Sequence, residues 1–260
     1  MVVTSNMKQI PNLFTLLNLV FGCIAIVFTL QTQTVLINVN DDFSSSFSLP
    51  EQLTYASAFI FVAAIVDFLD GFVARLFNAS SEMGKQLDSL ADVVSFGVAP
   101  SMIMYQLLRF SYMKEENGLD TSVLLLFPAF LIACAGAYRL ARFNIDNTQS
   151  YGFKGVPIPT AGILIASFPL ALHYDNSLIN VYDLFINKWV LYGIIIVVSL
   201  LMVSNLPMMA LKFKNLSLKN NLSKFILIIF SILAMLFLHW MSAPVIFIGY
   251  IILSLAFKNK

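Results

Sequence analysis

The sequence predicts an all-α membrane protein, a polytopic bundle of about eight transmembrane helices with both termini in the cytoplasm. Hydrophobic residues make up 59% of the 260 positions and charged residues only 11%, and the mean hydropathy is +0.84. A soluble domain carries roughly 45–50% apolar and about 25% charged residues. This composition excludes a soluble enzyme, a nucleic-acid-binding protein and a disordered chain, and it leaves an integral membrane protein.

Eight apolar runs are candidate membrane spans, because a helix needs about 20 mainly apolar residues to cross the hydrocarbon core. In chain order they are Leu13–Leu30, Tyr55–Phe77, Leu87–Phe110, Val123–Phe143, Ile158–His173, Trp189–Leu211, Phe225–Trp240 and Ala243–Phe257. Pro244, at the start of the eighth run, indicates two helices there rather than one bent helix. Because no repeat or low-complexity tract is visible, we treat residues 1–260 as a single domain.

The distribution of Lys and Arg predicts how the helices are oriented. With the N-terminus inside, only Arg109, Lys114 and Lys188 fall outside, and the other 12 of the 15 basic residues fall on the cytoplasmic side. Cytoplasmic loops typically carry such an excess. We therefore expect cytoplasmic termini, in the inner (cell) membrane of a bacterium or archaeon. The net charge of +1 is too balanced to indicate a nucleic-acid partner.

Acidic residues of the second and third helices are the strongest candidates for a functional site, since ionisable groups within spans are costly. At about 100° per residue, one face of the second helix holds Asp67, Asp70, Gly71 and Ala74. A spacing of four places one stripe on the third helix, formed by Gly84, Asp88 and Asp92. A turn-like link joins these helices, with Ser80 or Ser81 as the N-cap. The hairpin of residues 55–110 is therefore expected to bring the acids together at the cytoplasmic side.

Four carboxylates in a poorly solvated site cannot all stay ionised without cations. Oxygen ligands suit Mg²⁺ or Mn²⁺, and the lack of Cys or His nearby argues against zinc. Four Asp residues suit two metals roughly 3.5–4 Å apart, an arrangement that stabilises phosphoryl displacement. Gly71 and Ala74 leave room for a large ligand, and Arg75 offers a fork for phosphate oxygens. The alternative, a buried acid–base network joining two helices, explains one Asp–Arg pair better than four acids.

The stretch from Asp67 to Asp92 reads D-x₂-D-G-x₂-A-R-x₈-G-x₃-D-x₃-D and resembles, at every fixed position, the signature of the CDP-alcohol phosphatidyltransferase family. The resemblance implies transfer of a phosphatidyl group from a CDP-linked lipid to an alcohol, with release of CMP and two divalent cations as cofactors. It implies that Asp67 and Asp88 contact both metals, Asp70 one, and Asp92 the other while also acting as the catalytic base. The residues that it assigns to the CDP-lipid are Gly71, Ala74, Arg75 and Ser81.

Further segments are similar to the serine-accepting branch of this family, namely Ile10–Asn18, Leu87–Pro100, Tyr138–Asn144 and Phe153–Pro159. The resemblance implies CDP-diacylglycerol as donor and L-serine as acceptor, with phosphatidylserine and CMP as products. Transfer to another alcohol, glycerol 3-phosphate or inositol, is the alternative, and an ion-coupled transporter is a distant one. A homodimer is a possible assembly in such a family, although no residue identifies an interface. From Thr160 onward the helices carry no recognisable specificity signal.

Arg139 and Arg142 are candidates for binding the acceptor, because they lie three residues apart near the cytoplasmic end of the fourth helix. Two guanidinium forks could hold the serine carboxylate while the hydroxyl faces Asp92. Asn144 and Lys154 could assist through hydrogen bonds and charge. The alternative for the basic residues is an anchoring role, in which their long side chains reach toward the lipid headgroups.

Overall fold

The computed structural model describes residues 10–32, 36–37, 46–47, 50–76, 81–115, 120–146, 153–174, 184–209 and 221–257. The α-helices within these ranges are α1 (Ile10–Leu30), α2 (Glu51–Leu76), α3 (Glu82–Asp92), α4 (Ala99–Met113), α5 (Leu131–Ile145), α6 (Ile158–His173), α7 (Lys188–Val203), α8 (Leu222–Leu238) and α9 (Ser242–Ala256). A π-helical segment, Val93–Val98, joins α3 to α4. Short 3₁₀ turns cover Val123–Leu125, Phe127–Phe130 and His239–Met241.

Two antiparallel pairs of very short strands complete the described part of the chain. Strand β1 (Leu36–Ile37) pairs with β2 (Ser46–Phe47) in the connection between α1 and α2. Strand β3 (Phe153–Lys154) pairs with β4 (Pro207–Met208), which ties the segment before α6 to the segment after α7. These pairs connect helices and form no layer of their own, so the fold is all-α, as the composition predicted.

Within the described part of the chain, five helical stretches are long and apolar enough to cross a membrane: Pro11–Leu30, Glu51–Ala74, Glu82–Met113, Val123–Ile145 and Leu222–Ala256. The helices α6 and α7 are apolar but shorter. The last stretch breaks at His239, whose φ is 45°, so α8 and α9 are separate helices. The prediction of a polytopic helical membrane protein is therefore confirmed, whereas eight crossings and cytoplasmic termini stay predictions.

The sixth predicted helix is too long at its C-terminal end, because α7 ends at Val203 rather than at Leu211. Pro207 has no backbone N–H and cannot continue a helical ladder, and it lies instead in β4 opposite Lys154. Gly155 makes the close approach possible, with a φ of 77° and its N–H donating to Leu206 O at 2.9 Å. A side chain at Gly155 would collide with the end of α7, since a Cβ would lie 2.2 Å from Met202 O.

Helices α1 and α2 form an antiparallel hairpin, in which the Phe28 and Phe59 rings stack with centroids 5.4 Å apart. The π-helical segment lies at the centre of the bundle, and its Ser95, Phe96 and Gly97 are buried. Helix α1 approaches it so closely that a Cβ on Gly22 would lie 2.3 Å from Ser95 Oγ. The catalytic candidates at the end of α3 are therefore held in a tightly packed part of the fold.

Candidate active site

The hairpin of α2 and α3 brings the four Asp residues of the motif together. Asp67, Asp70 and Asp88 each offer a carboxylate oxygen, and these three oxygens lie within 4.8 Å of one another. The carboxyl groups of Asp67 and Asp92 lie at hydrogen-bonding distance. Asp70 and Asp92 are buried, with exposed fractions of 6% and 7%, whereas Asp67 and Asp88 are half-buried. The cluster therefore combines a buried pair of acids with a more accessible pair.

Helix α3 begins at an N-cap that sets the direction of its acidic stripe. The Ser81 Oγ atom accepts a hydrogen bond of 3.0 Å from the backbone N–H of Gly84, which satisfies one of the open donors of the first turn. Ser81 itself is exposed. The other candidate for the cap, Ser80, lies outside the described residues.

Asp92 lies where α3 gives way to the π-helical segment, a wider turn that often marks functional sites. Its Oδ1 atom is buried and has no hydrogen-bond partner among the described residues. Buried polar atoms are costly without a partner and are almost always paired in native proteins. This orphaned oxygen therefore indicates that the site is built to receive a cation or a polar ligand.

Helix α1 contributes a residue that our sequence analysis did not assign to the site. The Thr15 hydroxyl donates to Asp70 Oδ2 at 2.8 Å, and it also lies 3.1 Å from Pro11 O. A signal was available, because polar residues recur every third position in an otherwise apolar helix at Asn12, Thr15 and Asn18. Thr15 therefore helps to set the direction of one carboxylate of the cluster.

Open space lies beside the cluster where the motif has small residues. A Cβ built on Gly71 would meet no heavy atom within 4 Å, and Ala74, one turn further along α2, is half-buried. The side chain of Arg75 lies outside the described residues. The face of α2 next to Asp70 can therefore accommodate a large ligand.

The structure separates the two arginines that sequence analysis treated as a pair. Arg139 is 6% exposed, interacts electrostatically with Asp92 and Tyr250, and lies over the Phe143 ring at 5.6 Å from its centroid. Arg142 instead donates to Val203 O at 3.2 Å and to Asn205 Oδ1. Only Arg139 therefore faces the acid cluster, while Arg142 binds the segment that ends α7.

Asn144 and Lys154, the other two candidates for acceptor binding, lie in polar contacts around the cluster. Asn144 Nδ2 donates to Ser89 Oγ at 2.8 Å, and the backbone oxygen of Asn144 accepts from Lys85 Nζ at 3.5 Å. These bonds fasten the end of α5 to α3 beside the acidic stripe. Lys154 forms an ion pair with Asp146 at 2.8 Å, which fastens β3 to the same end of α5.

Tyr250 of α9 is a second residue that sequence analysis missed. It is 3% exposed, donates from its hydroxyl to Met209 O at 2.9 Å, and lies close enough to Arg139 to interact electrostatically. No sequence signal marked it, because it sits in an apolar run without a motif. The C-terminal helices therefore contribute to the surroundings of the cluster.

The donor set fits a divalent cation. Three carboxylates from neighbouring helices converge within 4.8 Å, and the fourth has a buried oxygen without a partner in the described part of the chain. Hard cations such as Mg²⁺ and Mn²⁺ prefer oxygen ligands. Among the described residues, no second group of three or more His, Cys, Asp or Glu side chains could hold an ion.

Comparison with known proteins identifies the family to which this site belongs. Residues 8–203 match the sequence model of the family described as CDP-alcohol phosphatidyltransferase. The chain belongs to this family. The matched range contains the whole Asp67–Asp92 motif, so the resemblance stated above is confirmed and the protein is a phosphatidyltransferase of phospholipid biosynthesis.

Several curated proteins are similar to this transferase, and each is named CDP-diacylglycerol–serine O-phosphatidyltransferase. The protein of Helicobacter pylori strain J99 is 38% identical over 220 residues, which cover 79% of this chain and 83% of the relative. That of Bacillus subtilis strain 168 is 40% identical over 121 residues, which cover 44% of this chain and 60% of the relative. That of Methanocaldococcus jannaschii is 35% identical over 159 residues, which cover 61% of this chain and 59% of the relative.

Proposed function

We propose that the protein transfers the phosphatidyl group of CDP-diacylglycerol to the hydroxyl of L-serine, giving phosphatidylserine and CMP. The observation that carries the choice of acceptor is the buried Arg139 beside Asp92. A buried guanidinium favours an acceptor with an anionic group close to its hydroxyl, which serine has and inositol lacks. Glycerol 3-phosphate is also anionic, and the names of the relatives favour serine over it.

The transfer is proposed as one direct displacement. Asp92 takes the proton of the serine hydroxyl while the hydroxyl oxygen forms a bond to the phosphorus of the phosphatidyl group. The bond from that phosphorus to the oxygen of CMP breaks, and its electron pair leaves with CMP. Asp92 then passes the proton to water, so the carboxylate is restored for the next turnover.

The acids of the cluster are proposed to hold two divalent cations, Mg²⁺ or Mn²⁺. Asp67 and Asp88 would contact both, Asp70 one, and Asp92 the other, in keeping with the convergence of their carboxylates. The cations would offset the negative charge of the pyrophosphate and of the departing CMP. Thr15 would keep Asp70 pointed toward them through its 2.8 Å hydrogen bond.

The CDP-lipid is proposed to lie on the open face of α2 beside Gly71 and Ala74, where a large ligand fits. Arg75 and Ser81 are the candidates for its phosphate oxygens. Arg139 is the candidate for the serine carboxylate. Arg142, Asn144 and Lys154 are proposed to support the walls of the acceptor pocket, because their contacts fasten α3, α5, α7 and β3 to one another.

Eight crossings with both termini and the acid cluster on the cytoplasmic side are proposed for the topology, in a bacterial or archaeal cell membrane. Lys188, one of the three basic residues that the charge count places outside, forms an ion pair with Glu115, which follows α4. This contact supports placing the end of α4 and the start of α7 on the same side of the membrane. The homodimer stays a prediction.

A panel of acceptors tests the proposed function. Purified protein in lipid–detergent micelles is given CDP-diacylglycerol, Mn²⁺ and one radiolabelled alcohol at a time: L-serine, glycerol 3-phosphate or inositol. We expect radiolabel to enter the lipid fraction only when the alcohol is L-serine, and we expect CMP to be released in the same reaction. Incorporation of another alcohol while serine is ignored would overturn the choice of acceptor but not the family.

A further inference from the structure

Asn18 of α1 is a buried amide that the mechanism above does not use. Its exposed fraction is 0%, and neither Nδ2 nor Oδ1 has a hydrogen-bond partner among the described residues. A buried amide without partners is rare, because its polar atoms lose their hydrogen bonds to water and gain nothing in return. The side chain is therefore expected to meet a polar group that is bound only during function.

The pairing of α1 with α2 places Asn18 at the depth of Asp67 and Asp92. Thr15 contacts Asp70 directly, and the two helices run antiparallel. Three residues forward along α1 and three residues back along α2 cover the same distance, about 4.5 Å. Asn18 therefore lies level with Asp67, which is paired with Asp92.

The pairing of α1 with α3 and the π-helical segment gives the same depth independently. A Cβ on Gly84 would lie 2.9 Å from Asn12 Oδ1, and one on Gly22 would lie 2.8 Å from Ser95 Cα. These two contacts show that α1 runs parallel to α3, with Asn18 falling just before the level of Asp92. The backbone confirms the proximity, because Ser95 Oγ donates to Asn18 O at 3.0 Å.

The direction of the side chain follows from the helical repeat. At about 100° per residue, Asn18 lies within about 60° of Thr15 and about 40° of Gly22 around α1. Thr15 faces Asp70 and Gly22 faces Ser95. Asn18 is therefore on the face of α1 that meets the acid cluster.

Two orphaned polar atoms thus lie at one depth on facing helices: Nδ2 of Asn18 and Oδ1 of Asp92. A hydroxyl group can satisfy both at once, since it accepts a hydrogen bond on oxygen and donates its own proton. The hydroxyl oxygen has two lone pairs, so one can accept from the amide while the other faces an electrophile. This is the position that an acceptor alcohol needs immediately before transfer.

We propose that Asn18 binds the hydroxyl of the acceptor alcohol, donating from Nδ2 to its oxygen while the hydroxyl proton points at Asp92 Oδ1. The inference rests on the proposed function and deepens it, because it identifies the residue that binds the reacting hydroxyl. In the transfer, the proton moves to Asp92 and the oxygen bonds to phosphorus as the bond to CMP breaks. Asn18 gives up no atom and orients the oxygen.

The test compares L-serine with L-alanine, which lacks only the hydroxyl. Binding is measured by titration calorimetry on the full chain with Mn²⁺ and CMP present and no lipid donor, so that no turnover occurs. The variant is Asn18→Leu, which keeps a similar volume without the amide. The matched control is Gln106→Met, since Gln106 is also a buried amide, 3% exposed and with Oε1 lacking a partner among the described residues. It lies in α4, about 20 Å from Asp92 along the helical stretch that holds both residues.

We expect the wild type and Gln106→Met to bind L-serine at least about tenfold more tightly than L-alanine, as one well-made hydrogen bond allows. In Asn18→Leu the ratio is expected to fall to about twofold or less, with the affinity for L-alanine unchanged. A ratio that stays at the wild-type value in Asn18→Leu, or a wild type that does not distinguish the two ligands, would overturn the proposal. Asn18→Ser serves for the same comparison if the leucine variant does not fold.

The acceptor panel keeps this inference separate from the proposed function. If the wild type incorporates another alcohol instead of serine, the choice of acceptor fails, and the comparison is repeated with that alcohol and its deoxy analogue. If Asn18→Leu then no longer distinguished that alcohol from its deoxy analogue, the result would still support Asn18 as the residue that binds the hydroxyl. An unchanged ratio would overturn it for that acceptor as well.

Discussion

Thr15 donates a 2.8 Å hydrogen bond to Asp70 across the interface of the first two helices, and both residues are buried, with exposed fractions of 4% and 6%. Replacing a group that holds a metal-binding carboxylate in place typically lowers metal affinity by about 10–100-fold. The first helix is thus part of the candidate metal site, although the family motif lies entirely in the second and third helices.

Replacing Thr15 by Val is expected to weaken divalent-cation binding by about 10-fold, because Asp70 loses its donor and its fixed direction. The half-saturating Mn²⁺ concentration of the transfer reaction measures this, together with direct Mn²⁺ binding. The control is Thr29→Val in the same helix, where the buried hydroxyl donates to the backbone oxygen of Ala25. Equal Mn²⁺ affinity in the wild type and Thr15→Val would show that the hydrogen bond plays no part in metal binding.

Asp88→Asn is expected to abolish tight Mn²⁺ binding, since it removes one of the three carboxylates that converge within 4.8 Å. The measurement is the free Mn²⁺ signal in electron paramagnetic resonance during titration of the protein. Glu82→Gln provides a matched control, because Glu82 is an exposed acid in the first turn of the same helix. Undiminished Mn²⁺ binding by Asp88→Asn would place the metal elsewhere.

Arg139→Gln and Arg142→Gln are expected to differ sharply in their effect on serine. The first removes a buried cation that interacts with Asp92, so we expect the KM for serine to rise by at least about 10-fold while the KM for CDP-diacylglycerol changes little. The second removes contacts to Val203 and Asn205 and should leave the KM for serine within about threefold. A similar rise in both variants would restore the view that the arginines act as a pair.

Gly22→Ala is expected to destabilise the protein by ~1–3 kcal/mol, because the new methyl group would overlap Ser95 and push α1 away from the π-helical segment. Gly193→Ala in α7 is the control, since a Cβ there meets no heavy atom within 4 Å. Thermal unfolding in detergent, followed by circular dichroism, gives the comparison. If both variants have the same melting temperature as the wild type, the contact of Gly22 with Ser95 is looser than the structure shows.

The membrane fold and the convergence of the acids could be predicted because both follow from short-range rules. Apolar runs of about 20 residues reveal spans, and helical periodicity places Asp67 and Asp70 on one face and Asp88 and Asp92 on another. A short link between the two helices then leaves little freedom for where these faces meet. The same reasoning could have included Thr15 and Asn18, whose polarity stands out in an apolar helix.

Other features depend on contacts between distant parts of the chain, which periodicity does not show. Arg139 and Arg142 have the same local spacing, and only the position of the end of α7 determines that one turns outward. The wide turn after Asp92 has no residue signature, since it is stabilised by packing against α1. Tyr250 comes next to Arg139 through the folding of α9, and its own neighbours in sequence are ordinary apolar residues.

We propose above that the acid cluster passes the phosphatidyl group directly from the CDP-lipid to serine, with no intermediate on the enzyme. The most direct measurement is CMP release by purified protein with CDP-diacylglycerol and Mn²⁺, first without and then with L-serine. We expect no CMP before serine is added, equal amounts of CMP and phosphatidylserine afterwards, and neither product with Asp92→Asn although that variant still binds the lipid. A burst of CMP equal to the amount of enzyme in the absence of serine, or normal turnover by Asp92→Asn, would contradict this proposal.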